Sequence, residues 1–346
     1  MVKKIISILA ASLLLLGCDQ TDDISQMLPG RVGPSGEVLV VMKKSMKSDS
    51  LVRTLERVFM DIYPMLPQAE PEFDLTLLDF EEFDRFWKPH RNVLFIDIAD
   101  RIDTQEPSLG IFKNKYAKGQ VYLELKARTP ELAAVAVQER AEEIRSILET
   151  EERNRYMDLI RADKNFKIDK VLQEKYGVAL DVPRDARIMV EEENFVLIDR
   201  QLTRQQGGDN HDVKEGFMIY FYPYTTEEVF SPQYLLAKRD SLLKHYVHGN
   251  PEGSYMTTEM RYYPRYEEIN FREQFAAEIR GLWKMEGDFM GGPFISITQY
   301  DEVNKRIVTV EGYAYAPFFD KREYVREVEA IIRSLQLVKV GTIVSE

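Results

Sequence analysis

The sequence predicts an α+β protein: two α/β sandwich-like domains with mixed or antiparallel sheets, behind a short N-terminal signal. Three observations carry this. Apolar runs of strand length, bounded by glycine, proline or charge, recur in both halves, as at 37–42, 92–97, 194–199 and 307–315. Other segments repeat an apolar residue every three or four positions, most clearly Val325, Val328, Ile331, Ile332 and Leu335. The length of 346 residues exceeds what one small core usually organises, so two domains are expected.

Lys3 and Lys4 give a positive start, and Ile5 to Leu16 is an apolar run interrupted only by Ser7 and Ser12. The run is shorter than the roughly 20 residues of a membrane-crossing helix. It has the length of a secretory h-region. Leu15-Leu16-Gly17-Cys18 resembles a bacterial lipobox, with Leu16 where Ala or Ser is commoner. That resemblance implies a lipoprotein signal peptide over 1–17, cleavage before Cys18, and acylation of the Cys18 sulfur and the new amino terminus. Cys18 is the single cysteine. Unpaired in an oxidising compartment it is a liability unless capped, and two or three acyl chains suffice for stable anchoring. Residues 18–34 then form a lipidated flexible tether, with Asp22, Asp23, Pro29 and Gly30 and no apolar periodicity. Asp19, Asp22 and Asp23 resemble the export signals of surface lipoproteins in Bacteroidota. A solvated tether facing the periplasm has the same composition. The expected location is the cell envelope, lipid-anchored at the outer membrane on its periplasmic or surface face, with the bilayer as partner through acylated Cys18.

The chain has 46 Lys and Arg against 58 Asp and Glu; loss of Lys3 and Lys4 with the signal leaves 44 against 58, a net charge near −14. This balance repels nucleic acid and anionic headgroups, so no nucleic-acid partner is expected. Beyond Cys18 there is no thiol for a disulfide, a nucleophile or a cysteine metal site.

A first α/β domain is expected over 35–150, a helical connector over 151–180 and a second α/β domain over 181–340. In the first, Glu37–Met42 reads as a buried strand after Gly33-Pro34-Ser35-Gly36. Ser48 or Asp49 caps a helix with Leu51, Leu55, Val58, Phe59 and Ile62 on one face, ended by Pro64, Pro67 and Pro71. Phe73 to Leu78 reads as a strand, Phe80 to Trp87 as a short helix and Asn92 to Asp97 as a buried strand. Ile111 to Ala127 is a strand pair around Lys118-Gly119. Thr129-Pro130-Glu131 opens a helix with a cap, a proline in the first turn and an acid at the positive dipole end. Helical pattern continues in two pieces to about Lys175.

In the second half, Arg187 to Val190, Asn194 to Asp199 and Phe217 to Tyr222 read as strands, with Glu191-Glu192-Glu193 as a turn and Gln205 to Asp212 as a polar loop. Ser231-Pro232 begins a helix that ends at His248-Gly249. Thr257 to Tyr263 is extended. Phe271 to Trp283 fits strand or helix. Phe294 to Tyr300 and Ile307 to Tyr315 form a hairpin, and Asp320 with Glu323 makes a capping-box-like start to the last helix. Asn92–Asp97 and Asn194–Asp199 echo one another, as a duplication would make them.

Motifs for chemistry are few. His245 and His248 stand three apart near a helix end, but no third ligand accompanies them, and cations favour the negative helix C-terminus in any case. No metal site is assigned. Ser241-Leu-Leu-Lys244 fits S-x-x-K without its partner motifs. There is no G-x-S-x-G, no phosphate-binding loop and no dinucleotide fingerprint, so no cofactor is expected. The most unusual stretch is Gly281 to Phe294. Its glycines allow special backbone geometry, Trp283, Met285, Phe289 and Met290 bring apolar area, and Arg280 is an anion partner. It reads either as a recognition loop, with Arg280, Trp283, Met290, Gly291, Gly292 and Phe294 as binding residues, or as a tight strand connection whose aromatics fill the core. Tyr220, Tyr222, Tyr224, Tyr262, Tyr263, Tyr266, Tyr313 and Tyr315 add groove-forming rings.

The lipobox, Gly36-Glu-Val-Leu-Val-Val-Met42, Leu66-Pro-Gln-Ala-Glu-Pro-Glu-Phe73, Arg91-Asn92, Arg280-Gly-Leu-Trp283, Met290-Gly-Gly-Pro-Phe294 and Glu311-Gly-Tyr-Ala-Tyr-Ala-Pro317 together resemble the domain of unknown function 4837 family. That resemblance implies a lipoprotein of Bacteroidota and carries no assigned activity. The order of elements in the second half is also loosely similar to the PsbP-like α/β/α sandwich, a likeness of fold alone. The leading expectation is a non-enzymatic envelope lipoprotein that binds a protein or other envelope component through its second domain. The alternatives are an envelope hydrolase acting on glycan or peptide, and a carrier of a small apolar ligand.

Overall fold

The computed structural model describes residues 28–102 and 106–341. Cys18 and the signal 1–17 lie outside the described residues. The chain divides into two compact units, one of residues up to Val52 with Leu75–Ala136, the other of Arg53–Asp74 with the residues from Val137 onward. The fold is α+β, as the sequence predicts.

The first unit holds a mixed five-stranded sheet in the order β2-β1-β3-β5-β4: β1 Glu37–Met42, β2 Asp74–Asp79, β3 Asn92–Ile98, β4 Ser108–Lys113 and β5 Val121–Ala127. Strands β1, β3 and β5 are parallel, and β4 runs antiparallel to β5. Parallel strands are covered on both faces and so read as continuous apolar runs. Val38, Leu39, Val40 and Val41 are all fully buried. Leu39, Val41 and Val93 pack with Phe95 and Tyr122 on one face. Helix α1, Asp49–Phe59, is capped where expected, the Ser48 hydroxyl accepting from the Leu51 N–H at 3.2 Å. Residues 29–33 are bonded into this unit: Lys118 N donates to Pro29 O, Val32 N to Pro89 O and Arg91 N to Val32 O, at 2.9–3.0 Å.

Helical structure to Lys175 comes in more pieces than periodicity suggests: α2 Pro130–Glu139, α3 Ala141–Ala162, α4 Phe166–Val171 and a π-turn at Leu172–Tyr176.

The second unit is built on an eight-stranded sheet in the order β10-β12-β13-β14-β9-β8-β7, with β11 also on β12. The strands are β7 Arg187–Glu192, β8 Phe195–Gln206, β9 Asp209–Tyr222, β10 Tyr255–Thr258, β11 Arg265–Phe271, β12 Gln274–Glu286, β13 Gly291–Asp301 and β14 Arg306–Tyr315, and every pairing along the sheet is antiparallel. β6 Val178–Ala179 pairs separately with β15 Gln336–Leu337. Both sheet faces are covered. On β9, Phe217, Ile219 and Phe221 enter a core beneath helix α6, Arg322–Ile332. Met218, Tyr220 and Tyr222 enter the opposite core, beneath helix α5, Pro232–Tyr246. Period-two alternation thus sorts one continuous apolar strand into two cores.

Two expectations are corrected and two open readings are resolved. Gln205 to Asp212 is not a loop: β8 and β9 run to a two-residue turn, where Gly207 at φ 64° and Gly208 at φ 94° take the left-handed backbone that the turn requires. Phe271 to Trp283 is not helical: it is the end of β11, a turn at Arg272-Glu273 with φ of 53° and 65°, and β12 from Gln274. The last helix does not use Asp320 and Glu323 as a capping box. Instead Glu70, distant in sequence and buried, accepts from Lys321 N at 2.7 Å and Arg322 N at 2.8 Å. The echo between Asn92–Asp97 and Asn194–Asp199 is not carried into topology, because β3 sits between parallel neighbours and β8 between antiparallel ones.

Candidate functional site

The stretch Gly281 to Phe294 is the end of β12, a turn and the start of β13; Trp283 and Phe294 are directed inward, while Phe289 in the turn is fully exposed. Trp283 is 2% exposed. Its indole N–H donates to Ala314 O at 3.3 Å, and its ring meets Tyr313 edge-on at 5.3 Å. A Cβ on Gly292 would stand 2.1 Å from Ala314 O, so glycine here is required by the approach of β14. Phe294 is buried, with the Arg239 guanidinium 3.7 Å from its ring centre. Met290 is half-buried against the same core, and Gly291 pairs with Lys284. Arg280 is indeed an anion partner, but its anions are internal: Nε is 2.7 Å from Glu278 and Nη2 is 2.9 Å from Glu329. The stretch therefore takes mainly the second of its two readings: a strand connection with Trp283 and Phe294 in the core and Phe289 left in solvent at its turn.

Glu329, 1% exposed, gathers Arg153, Arg280 and Arg333 at 3.5, 2.9 and 2.7 Å. Burial alone would raise its carboxyl; the three guanidiniums override this and hold it well below the usual range. These groups line part of a polar cavity of about 450 Å³ within the second unit. Glu72 also lines it. Its Oε2 lies 3.5 Å from Arg145 Nε and accepts no hydrogen bond. Burial pushes Glu72 up to about 7; Arg145 opposes the rise, and Glu149 and Asp61 add to it.

A buried pair lies between the sheet and α5. Arg239 donates from Nε to both oxygens of Glu311, at 3.0 and 2.9 Å, and from Nη2 at 2.7 Å. Neither side chain is more than 2% exposed.

The second unit also opens into an aromatic cleft of about 810 Å³. Five rings line it: Tyr224 after β9, Phe230 before α5, Tyr266 on β11, Phe275 on β12 and Tyr300 on β13. Tyr224 and Tyr300 are 5.3 Å apart and tilted, and Phe230 and Phe275 are 5.1 Å apart edge-to-face. Tyr224, just past β9, and Phe275, at the start of β12, remain 43% and 47% exposed. Glu227 and Glu268 bring carboxylates, Ser231 and Pro232 complete the wall, and no lysine, arginine or histidine lines it. Burial first, and then Glu268, raise the Tyr266 hydroxyl. Of these residues the sequence pattern singles out only Tyr224 and Tyr266. Phe230, Phe275 and Tyr300 come from three further segments that only the sheet brings together. Among the described residues no cluster of three metal-ligating side chains occurs, and no helix is long and apolar enough to cross a membrane.

Residues 165–334 match the family model described as Domain of unknown function (DUF4837). Residues 31–161 match a second, Domain of unknown function (DUF8532). No curated protein matches the chain. Among solved structures, a point mutant of protein Mog1 is similar at 10% identity and a TM-score of 0.30, over 48% of this chain and 94% of its own.

Proposed function

Over residues 165–334 this chain belongs to the domain of unknown function 4837 family, and we propose that it is a lipid-anchored binding module of the cell envelope, non-enzymatic, with the aromatic cleft as its recognition site. The observation that carries this is the cleft itself. Exposed tyrosine and phenylalanine on a rigid sheet supply large contact area at low entropic cost, and such rings dominate binding energies. A cleft of about 810 Å³ lies within the range of ordinary ligand sites. Anchoring through Cys18 at the outer membrane is supported by the lipobox and the acidic residues that follow it.

The test is crosslinking and affinity purification of the full chain from its native envelope, beside Cys18→Ala and Tyr224→Ala/Phe275→Ala. A stoichiometric companion lost in the cleft variant supports the reading. Capture that is unchanged by the cleft variant, with its Tm within a few degrees of the parent, refutes it.

A second reading, an envelope hydrolase, is favoured by Glu72. A carboxyl at about 7 beside arginines in a polar cavity suits general acid–base work. Loss of a hydrolytic activity in Glu72→Gln with stability kept would establish it; no activity on glycan or peptide substrates would remove it.

A further inference from the structure

The chemical class of the cleft's ligand can be argued, on the premise that the cleft is the recognition site. We infer that it takes a basic peptide segment, with a lysine ammonium or arginine guanidinium seated among the rings and facing Glu227 and Glu268.

Four observations converge. The lining combines aromatic faces with two carboxylates and contains no basic residue. An aromatic face attracts a cation through its quadrupole, and more strongly when water is displaced. Among the described residues neither Glu227 nor Glu268 is in an ion pair, whereas Glu267, beside Glu268 on β11, and Glu278 on β12 each hold a basic partner. Both cleft carboxylates thus lack a basic counter-ion, although Glu268 shares a hydrogen bond with the Tyr266 hydroxyl.

The wall least suited to a cation is the start of α5, where the helix dipole is positive. That end is already occupied. Pro232 has no N–H to offer, the Ser231 hydroxyl accepts from the Tyr234 N–H at 3.3 Å, and Ser231 N donates to Glu228 O at 2.9 Å. Few free donors remain for an anion. Finally, the formal charge of the whole chain is −12, which draws cations toward it and keeps anions away.

A purely apolar ligand would leave two carboxylates facing it, at a desolvation cost. A neutral sugar would stack on the rings without compensating that charge. A basic side chain satisfies both features, and neighbouring positions of an extended peptide would reach the flanking rings.

The experiment is a calorimetric titration of the full chain with three probes: a glycine-flanked pentalysine peptide, the same peptide fully acetylated on its side chains, and cellotetraose. Pentalysine is expected to bind and to weaken as salt is raised. Acetylation should weaken it at least about tenfold, and Glu227→Gln/Glu268→Gln should do the same. Tyr224→Ala/Phe275→Ala should abolish binding with Tm preserved. Equal binding of the acetylated peptide, or undiminished binding by the glutamine variant, overturns the cation assignment. Binding of cellotetraose or of the acetylated peptide that is lost in the ring variant also overturns it, yet leaves the cleft a recognition site. Binding of no probe overturns the assignment, and the envelope capture experiment then decides the cleft independently.

Discussion

Removing Arg239 tests whether the second unit depends on its buried ion pair. Glu311 is fully buried, and its hydrogen-bond partner is Arg239, through Nε and Nη2 at 2.7–3.0 Å. In Arg239→Met the buried carboxylate loses that partner, since methionine offers no hydrogen-bond donor. Breaking a buried pair from one side costs about 3–5 kcal/mol. Loss of the guanidinium from the Phe294 ring, 3.7 Å away, acts in the same direction. Thr258 is not orphaned, because its hydroxyl also reaches Asp240 at 2.7 Å. At about 2–4 °C per kcal/mol for a unit of this size, Tm should fall by roughly 6–20 °C. The second variant decides the cause. Arg239→Met/Glu311→Leu removes both charges and fills the space, so it should regain most of the loss, since apolar replacement of such pairs is often neutral. Burial already raises Glu311, so part of its charge cost is relieved by protonation. The deficit of Arg239→Met should therefore shrink as pH falls toward 4 and grow as it rises. Urea melts of the three proteins between pH 4 and 8 read all of this. If the two substitutions add, or if the single variant's deficit ignores pH, the pair is not what holds this core.

Glu70→Ala removes both acceptors at the start of α6 and should cost roughly 2 kcal/mol or more, with Glu70→Gln retaining part of it; equal melts for Ala and parent refute the cap. Trp283→Ala should destabilise by about 3–5 kcal/mol and leave a cavity beside Tyr313, read by thermal denaturation. A folded, stable Trp283→Ala would return that residue to the list of surface binding candidates. Glu72 moves from an ordinary 4.5 to about 7 on folding, so the folded chain keeps a proton that the unfolded chain releases between those values. Its contribution is fully present below about 4.5 and is lost as pH rises through 7, so Glu72→Gln should gain stability on the parent over that interval; parallel Tm curves refute the shifted carboxyl.

Period, caps and turns make most elements legible. Strand β1, helix α1 and the β13–β14 hairpin follow from local pattern because local pattern determines them: a continuous apolar run, a Ser48 cap, a turn between two alternating segments. The errors share another cause. Glu70 caps a helix some 250 residues away, and no window of sequence contains both partners. At Gln205 to Asp212 polarity stands for loop only if the strands stop. Here an exposed hairpin is polar on both faces and continues to its glycine turn.

The site follows the same division. Gly281 to Phe294 draws attention because glycine, tryptophan and arginine crowd one segment, yet each is explained by an internal contact: Gly292 by the Ala314 carbonyl on β14, Arg280 by Glu278 on its own strand and Glu329 on α6, Phe294 by Arg239 on α5. Conspicuous local composition here records dense packing, which needs unusual residues wherever backbones approach closely. The aromatic cleft has the opposite signature. Its rings are ordinary residues spread from Tyr224 to Tyr300, one per segment, and become a surface only when β11, β12 and β13 align. Exposure then separates them from the core: Tyr220, Tyr222 and Tyr313 are buried, while Tyr224 and Phe275 are left half in solvent beside carboxylates that have no basic counter-ion. Rings left half in water gain less for folding than the same rings buried. Their gathering in one concave cleft is the physical reason to look for a ligand here and not at the more conspicuous motif.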